Sequence, residues 1–174
     1  MTVPPLVVVS GPTASGKSAL SLALAAAFPL EIVNADSLQV YRHMDVGTAK
    51  PSAAVRREIP HHLIDVADPD EPYDAGRYVR EAEEAIAGIR GRGKAPLLVG
   101  GTGLYLRALL RGLDPRPSDP EVRKALNRRW DEEGGAALHG ELSRLDPETS
   151  ARVHPSDRVR VVRALEIAAV AGVL

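Results

Sequence analysis

The stretch GPTASGKS at residues 11–18 constrains the fold of this chain more than any other feature. It matches the pattern G-x-x-x-x-G-K-[ST]. The apolar run PLVVVS at 5–10 precedes it, and the alanine- and leucine-rich run KSALSLALAAAF at 17–28 follows it. A strand that turns through glycines into a helix directs backbone N–H groups toward an anion. The sequence therefore predicts a phosphate-binding loop on a parallel α/β sheet.

Two side chains of this loop have predicted roles. Lys17 is expected to contact terminal phosphate oxygens, and the Ser18 hydroxyl is expected to ligate Mg²⁺. The motif leaves the reaction open, because a bound phosphate can be a transferred group or a leaving group. Enzymes that transfer phosphoryl groups usually carry a second acid at a strand end. Here PLLV at 96–99 runs into GGTG at 100–103. The missing acid argues against an ordinary ATPase and leaves a small-molecule kinase possible.

The order of the remaining elements predicts an α/β fold. Residues 5–10, 30–35, 62–66 and 95–100 are interpreted as strands, the first of them buried, and residues 17–28, 75–92 and 102–112 as helices. Residues 36–60 are interpreted mainly as a functional loop. We expect a P-loop NTPase-like (nucleotide-kinase-like) parallel sheet flanked by helices, with a small helical insertion. The predicted division is a P-loop core over 1–112, a helical insertion over 113–155 and a return helix of the core over 156–174.

Composition limits the other possibilities. The chain has 174 residues, a net charge of −1 and no cysteine, which excludes disulfides and thiolate metal sites. We expect no membrane span and no signal peptide, consistent with a cytoplasmic protein. Only 3% of residues are aromatic, which argues against a base-stacking RNA-binding sheet. Residues 107–129 nevertheless contain seven bases and three acids, a local charge of +4.

A second polar cluster follows the predicted strand at 30–35. Asp36 would lie beside the phosphate loop, where a carboxylate serves as general base or metal ligand, or merely caps a turn. Ser37 and Gln39 can recognise a ligand by hydrogen bonds. The segment GTAK at 47–50 is either a second phosphate-facing turn or a solvated loop.

The segment GGTG at 100–103 allows close backbone approach at another strand end. Thr102 offers a hydroxyl there, for a ligand or for capping the next helix. His61 and His62 resemble a metal pair, but neighbours in a strand point to opposite faces, which favours structural roles. Tyr105 and Leu106 are predicted in the core.

Four segments together resemble one family. They are GPTASGKS (11–18), NADSLQVYRHMDVGTAKP (34–51), LLVGGTGLYLRALLRGL (97–113) and HPSDRVRVVRALE (154–166). They are similar to the tRNA dimethylallyltransferases, also called tRNA isopentenyltransferases. IPHHLIDVADPDEPYDAGRY (59–78) fits the same pattern, so the resemblance covers nearly the whole chain. Family members continue beyond EIAAVAGVL (166–174), so the resemblance implies that the usual C-terminal helices are missing.

The resemblance implies transfer of a dimethylallyl group from dimethylallyl diphosphate to N6 of an adenosine beside the anticodon of tRNA. The implied catalytic residues are Asp36, Thr102 and Lys17, with Asp36 accepting the N6 proton and Ser18 holding Mg²⁺. The implied diphosphate ligands are Gly11, Thr13, Ala14, Ser15, Gly16, Lys17, Ser18, Arg160 and Arg163. The implied tRNA contacts are Asp36, Ser37, Leu38, Gln39, Thr102, Arg123, Lys124, Arg160 and Arg163.

The expected partners are the anticodon stem-loop of tRNA and dimethylallyl diphosphate, bound by a monomer. Two alternatives remain at the level of sequence. One is a small-molecule or nucleoside kinase with the same loop, which would consume ATP. The other is an inactive truncated domain that binds diphosphate without a complete tRNA grip.

Overall fold

The computed structural model describes residues 3–112 and 117–172, and each of these two ranges forms a compact unit of its own. The elements of the first, the core unit, are β1 (Val7–Ser10), α1 (Lys17–Ala27), β2 (Leu30–Asn34), α2 (Ala53–Glu58), β3 (His61–His62), α3 (Ala75–Gly91), β4 (Ala95–Gly100) and α4 (Gly103–Arg111). Those of the second, the helical unit, are α5 (Pro120–Glu133), α6 (Gly135–Leu145), α7 (Pro147–Arg152) and α8 (Arg158–Val170).

The core unit contains one parallel sheet in the order β1-β4-β2-β3. The crossovers from β1 to β2 and from β3 to β4 run in opposite directions, so right-handed connections put α1 and α3 on opposite faces. The carboxyl ends of β1, β2 and β4 share one edge, in the register Ser10–Gly100 and Asn34–Val99. The predicted α/β class is confirmed, and this edge receives the phosphate loop, Asp36 and Thr102.

Helix α3 covers the sheet because its apolar residues fall on one face. Tyr78, Ala82, Ile86 and Ile89 are buried at helical spacing, and the Asp74 side chain caps the helix by accepting from the Arg77 N–H at 2.8 Å. The Tyr78 ring stacks on Tyr105 of α4 with centroids 4.2 Å apart. The predicted burial of Tyr105 and Leu106 is confirmed.

Three local predictions differ from the structure. Strand β1 is not buried, since Val7 and Val8 are 36% and 39% exposed, because β4 is its only neighbour among the described residues. The predicted strand at 62–66 is only the two residues of β3, because Leu63 and Asp65 adopt φ angles of 62° and 58°, which no extended strand allows. The predicted loop at 36–60 contains α2, whose first turn is capped by the Ser52 hydroxyl.

A buried carboxylate anchors the amino-terminal edge of the sheet. Glu31, 3% exposed, accepts from Arg92 Nη2 at 2.6 Å and from His62 Nε2 at 2.8 Å, and pairs with Lys94 at 3.2 Å. Hydrogen bonds from Arg92 above all, then from His62 and Lys94, outweigh burial and lower the pKa of Glu31 to about 2. The structural role predicted for His62 is therefore confirmed.

The helical unit has its own apolar core. Its buried side chains are Leu126, Leu138, Leu142, Val161, Val162 and Leu165. The predicted helices are confirmed within 117–155, and α8 starts where expected, with Asp157 accepting from the Arg160 N–H. Helix α8 packs on α5 and α6 and groups with residues 115–174. The boundary therefore differs from the predicted one, because the apolar face of α8 is used within the helical unit.

No helix in the two described ranges, 3–112 and 117–172, is long and apolar enough to cross a lipid bilayer.

Candidate functional site

The phosphate loop connects β1 to α1 through two residues in the left-handed region. Ala14 has φ 64° and Gly16 has φ 83°, and the Ser15 N–H donates to the Pro12 carbonyl. Gly16 precedes α1 without a side-chain cap, so the first N–H groups of α1 face the loop without an intrahelical partner. Such groups, with the positive end of the helix dipole, attract an anion.

The ammonium group of Lys17 lies close to the backbone of the phosphate loop. Lys17 Nζ donates to the carbonyl of Pro12, so the ammonium group folds back over the loop. Lys17 and Ser18 both line a cavity of about 210 Å³ in the core unit, together with Thr13 and Ala14. The loop therefore presents an ammonium group, a hydroxyl and backbone N–H groups to a single space.

Asp36 lies immediately after β2 and reaches the same cavity. Its Oδ1 accepts from the backbone N–H of Leu38 at 2.8 Å and of Gln39 at 3.4 Å. No described residue donates a hydrogen bond to Oδ2. Asp36 is thus both a turn residue and a candidate base, because one oxygen holds the turn and the other remains available for a proton.

Thr102 contacts this turn from the next strand end. Its Oγ1 accepts from the Ser37 N–H at 2.9 Å and lies 3.3 Å from Ser37 Oγ, while its N–H donates to the Ala35 carbonyl. The hydroxyl does not cap α4. Thr102 therefore braces the segment that carries Asp36.

The glycines before Thr102 allow the two strand ends to approach. A Cβ at Gly100 would lie 2.2 Å from the Ala35 carbonyl oxygen, and one at Gly101 would lie 3.1 Å from the carbonyl oxygen of Gly11. The close backbone approach predicted for GGTG is confirmed.

The predicted neighbours of Asp36 are placed differently from one another. Gln39 lines the cavity, and its Nε2 donates to the Thr48 carbonyl at 2.9 Å. The backbone N–H of Ser37 donates to Thr102 Oγ1, and Leu38 is 50% exposed. Of the residues 36–39, the structure brings Asp36 and Gln39 to the cavity and leaves Leu38 at the surface.

The segment 47–50 fits neither of its two sequence interpretations completely. Thr48 and Ala49 line the cavity. The Lys50 side chain is only 2% exposed, and its Nζ donates to Asp65 Oδ1 at 2.7 Å and pairs with Asp45 at 2.9 Å. Lys50 therefore holds the loop in place and does not face a phosphate.

The wall of the cavity is apolar beyond the loop and Asp36. Its apolar lining residues are Leu22, Ile32, Pro51, Val55, Ile64 and Val99. His61 joins them, with Nδ1 at 2.6 Å from the Ile59 carbonyl, and burial lowers its pKa below the ordinary value, which keeps the ring neutral at pH 7. Sequence reasoning missed this wall, because its residues come from separate elements that share no motif.

The helical unit holds the remaining predicted contacts. Glu166 is fully buried, and it accepts from Arg123 Nε at 3.0 Å, Arg163 Nη1 at 2.8 Å and the Asp119 N–H at 2.8 Å. Burial raises the pKa of Glu166, but these hydrogen bonds outweigh burial and lower it to about 2. Lys124 and Arg160 are exposed, and Arg160 lies 3.5 Å from Asp157.

The donors for a metal ion are sparse in the core unit. Among residues 3–112 and 117–172, no group of three His, Cys, Asp or Glu side chains could hold a metal ion. The exposed Ser18 hydroxyl at the head of α1 fits Mg²⁺ that takes its other oxygens from a bound diphosphate and water, which is how Mg²⁺ commonly binds.

A glycine loop that leads from a parallel strand into a helix, with its lysine and serine facing a cavity, defines a P-loop α/β protein. Residues 39–173 match the sequence model of the family described as IPP transferase, and residues 4–61 match that of the isopentenyl transferases. The chain belongs to the IPP transferase family.

Named relatives agree with this assignment. The chain is 53% identical over 171 residues to a tRNA dimethylallyltransferase of Trichlorobacter lovleyi, covering 98% of this chain and 56% of the relative. It is 56% identical over 165 residues to that of Anaeromyxobacter dehalogenans, covering 94% and 55%. The chain thus spans about half the length of these relatives.

Solved structures show the same likeness. A full-length tRNA isopentenylpyrophosphate transferase from Bacillus halodurans is similar with a TM-score of 0.62 and 42% identity, over 98% of this chain and 57% of that one. A eukaryotic dimethylallyltransferase acting on tRNA gives a TM-score of 0.76 at 34% identity, over 96% and 42%.

Proposed function

We propose that this chain transfers a dimethylallyl group from dimethylallyl diphosphate to N6 of an adenosine adjacent to the anticodon in tRNA. The observation that carries the proposal is that the phosphate loop and Asp36 line one cavity with an apolar wall, while no described residue donates a hydrogen bond to Oδ2 of Asp36. This arrangement suits a donor with an anionic head and a short hydrocarbon tail, attacked by a nucleophile that must lose a proton. The names of the relatives support it.

The reaction balances with the groups present. The N6 electron pair forms a bond to C1 of the donor, and the C1–O bond breaks with its electron pair leaving on the diphosphate. The N6 proton passes to Oδ2 of Asp36. An exocyclic adenine amine is a weak nucleophile, so a positioned base contributes directly to the rate.

The phosphate loop would stabilise the departing diphosphate. We assign this role to the N–H groups of residues 13–18 together with Gly11, and to the ammonium group of Lys17, which acts where negative charge develops. Ser18 would hold Mg²⁺, which supplies further neutralisation of the leaving group when bound. The wall formed by Leu22, Ile32 and Ile64 would pack against the dimethylallyl group.

The chain would bind the tRNA through the phosphates of the RNA and through its target base. The adenosine must leave its stack to reach Asp36, with Gln39 within reach for a hydrogen bond and Thr102 bracing the turn. Arg123, Lys124, Arg160 and Arg163 are the proposed contacts to phosphates of the RNA backbone. We further propose a cytoplasmic monomer that recognises the anticodon stem-loop.

The direct test combines the chain with Mg²⁺, labelled dimethylallyl diphosphate and an unmodified anticodon stem-loop RNA, and measures label in the RNA. In Asp36→Asn, the turn acceptor is kept and the base is lost, so transfer should fall by about 100-fold or more. Donor binding, measured by calorimetry, should stay unchanged. Asp68→Asn is the matched control, because Asp68 is a half-exposed carboxylate paired with Arg42.

Lys17→Ala should instead weaken donor binding. Lys94→Ala, which removes a lysine paired with Glu31, is its control.

Prenyl transfer unaffected by Asp36→Asn would contradict the assigned base. Donor binding without any transfer by the unchanged chain would indicate a binding domain. Turnover of ATP onto a small acceptor would indicate a kinase.

A further inference from the structure

Asn34 is a buried polar residue at the carboxyl end of β2, two positions before Asp36. The residue lines the cavity, yet it is only 4% exposed. A buried amide must find hydrogen-bond partners, or its desolvation destabilises the fold. The partners of Asn34 therefore show what the residue is for.

The amide of Asn34 holds the backbone of Asp36 on both sides. Its Oδ1 accepts from the Asp36 N–H at 3.2 Å, and its Nδ2 donates to the Asp36 carbonyl at 3.2 Å. Nδ2 also donates to the Leu63 carbonyl at 2.9 Å. Only one orientation of the amide agrees with this pattern, because the nitrogen faces two carbonyl oxygens and the oxygen faces an N–H.

These contacts leave little of the amide for a ligand. Both Nδ2 hydrogens are used and one Oδ1 acceptor site is occupied. Leu63, which receives one of these bonds, belongs to the core cluster and has the left-handed φ of 62°. Asn34 thus ties the turn that carries Asp36 to a second loop through the buried Leu63.

We propose that Asn34 is a positioning residue that sets the direction of the Asp36 carboxylate. The inference rests on the proposed role of Asp36 as the base. Asn34 holds both peptide groups of Asp36, and the N–H groups of Leu38 and Gln39 hold its Oδ1. These hydrogen bonds together fix the backbone and Oδ1 of Asp36, and they therefore fix the direction of Oδ2. A base must be within hydrogen-bond reach of the proton it removes, so a small displacement of this turn reduces the rate.

Two variants separate hydrogen bonding from shape. Asn34→Ala removes all three bonds, and Asn34→Asp keeps the shape but places acceptors against the carbonyls of Asp36 and Leu63. With the full chain, saturating donor and stem-loop RNA, both should lower kcat by about 10- to 100-fold. KM for the RNA and donor affinity should change little. Ile86→Val, in the core on α3, is the control for a general loss of stability.

Amide hydrogen exchange supplies a readout that needs no activity. In both variants the Leu38 and Gln39 amides should exchange at least about tenfold faster, because they are protected only while Asp36 Oδ1 stays in place. Ile86 and Ile89 amides of α3 should be unaffected. Unchanged exchange at Leu38 and Gln39 overturns the inference, whether or not the chain transfers prenyl groups.

The activity assay separates this inference from the proposed function. If the unchanged chain transfers label and Asn34→Asp retains its kcat, the positioning role is wrong while the function stands. If the unchanged chain transfers nothing but the two amides lose protection in both variants, the positioning of Asp36 stands and the proposed reaction fails.

Discussion

The hydroxyl of Thr102 accepts a hydrogen bond from the backbone N–H of Ser37 at 2.9 Å. The two residues are 65 positions apart in sequence, yet β4 and β2 are neighbours in the sheet, so their carboxyl ends meet. The contact joins the start of α4 to the turn that carries Asp36. The hydroxyl does not cap α4, which was one of its sequence interpretations, and it braces the turn that carries Asp36.

Replacing Thr102 by valine keeps the shape and removes the acceptor. Thr102→Val should lower prenyl transfer by about tenfold, since the Ser37 N–H loses its partner and the turn becomes less ordered. Donor affinity should stay the same. Thr102→Ser keeps the hydroxyl and should retain most activity. Equal activity of the valine and serine variants in the transfer assay would show that the hydroxyl has no role.

Because the end of β4 closely approaches Ala35, we expect alanine at Gly100 and alanine at Gly103 to have very different effects on stability. Gly100→Ala would place a Cβ 2.2 Å from the Ala35 carbonyl oxygen and should lower the free energy of unfolding by about 3 kcal/mol or more. Gly103→Ala meets no atom within 4 Å and is the first residue of α4, so it should leave the free energy of unfolding unchanged or raise it slightly. Urea denaturation of both variants measures this. Equal stabilities would contradict the close approach.

Because the pKa of Glu31 is lowered in the folded chain, we expect the free energy of unfolding to decrease in acid. Its pKa of about 2 in the folded chain lies below the ordinary value of 4.5, so the folded state binds fewer protons than the unfolded state between these values. The stabilisation is complete above pH 4.5 and disappears as the pH falls toward 2. Glu31→Gln should cost about 3 kcal/mol at pH 7 and much less near pH 2.

Urea denaturation at a series of pH values checks this prediction. The stability difference between the parent chain and Glu31→Gln should narrow as the pH is lowered. A difference that stays constant from pH 7 to pH 2 would mean that the carboxylate charge contributes nothing through Arg92, His62 and Lys94.

The exposed Lys124 predicts a salt-dependent contribution to RNA binding. Lys124→Ala should weaken binding of the stem-loop uniformly across sequences and reduce the slope of log K against log[salt] by about 0.7–0.9. Lys94→Ala removes a lysine paired with Glu31 and should leave the slope unchanged. A fluorescence titration at several salt concentrations measures both variants. Identical slopes for Lys124→Ala and the parent would remove Lys124 from the proposed RNA contacts.

Local patterns accounted for much of the fold. The turn from strand to helix around residues 11–18, the helix at 75–92 and the strand at 95–100 were predicted correctly because each depends on neighbouring residues or on a fixed period. The prediction of a long strand at 62–66 was wrong because the left-handed Leu63 and Asp65 are stabilised by distant partners. Leu63 receives Asn34 Nδ2, and Asp65 binds Lys50 and Arg56.

The sequence by itself determined the glycine-rich turn from β1 into α1, the parallel α/β class and the presence of Asp36 beside that turn, because these follow from short-range geometry and the alternation of strands and helices. Only the tertiary structure decided that Asn34 and Thr102 brace the turn of Asp36. It also decided that the buried Lys50 side chain pairs with Asp65, and that His61 joins the apolar wall of the cavity. These contacts join residues far apart in the chain. Their geometry depends on how the strand ends and loops pack, which no local pattern contains.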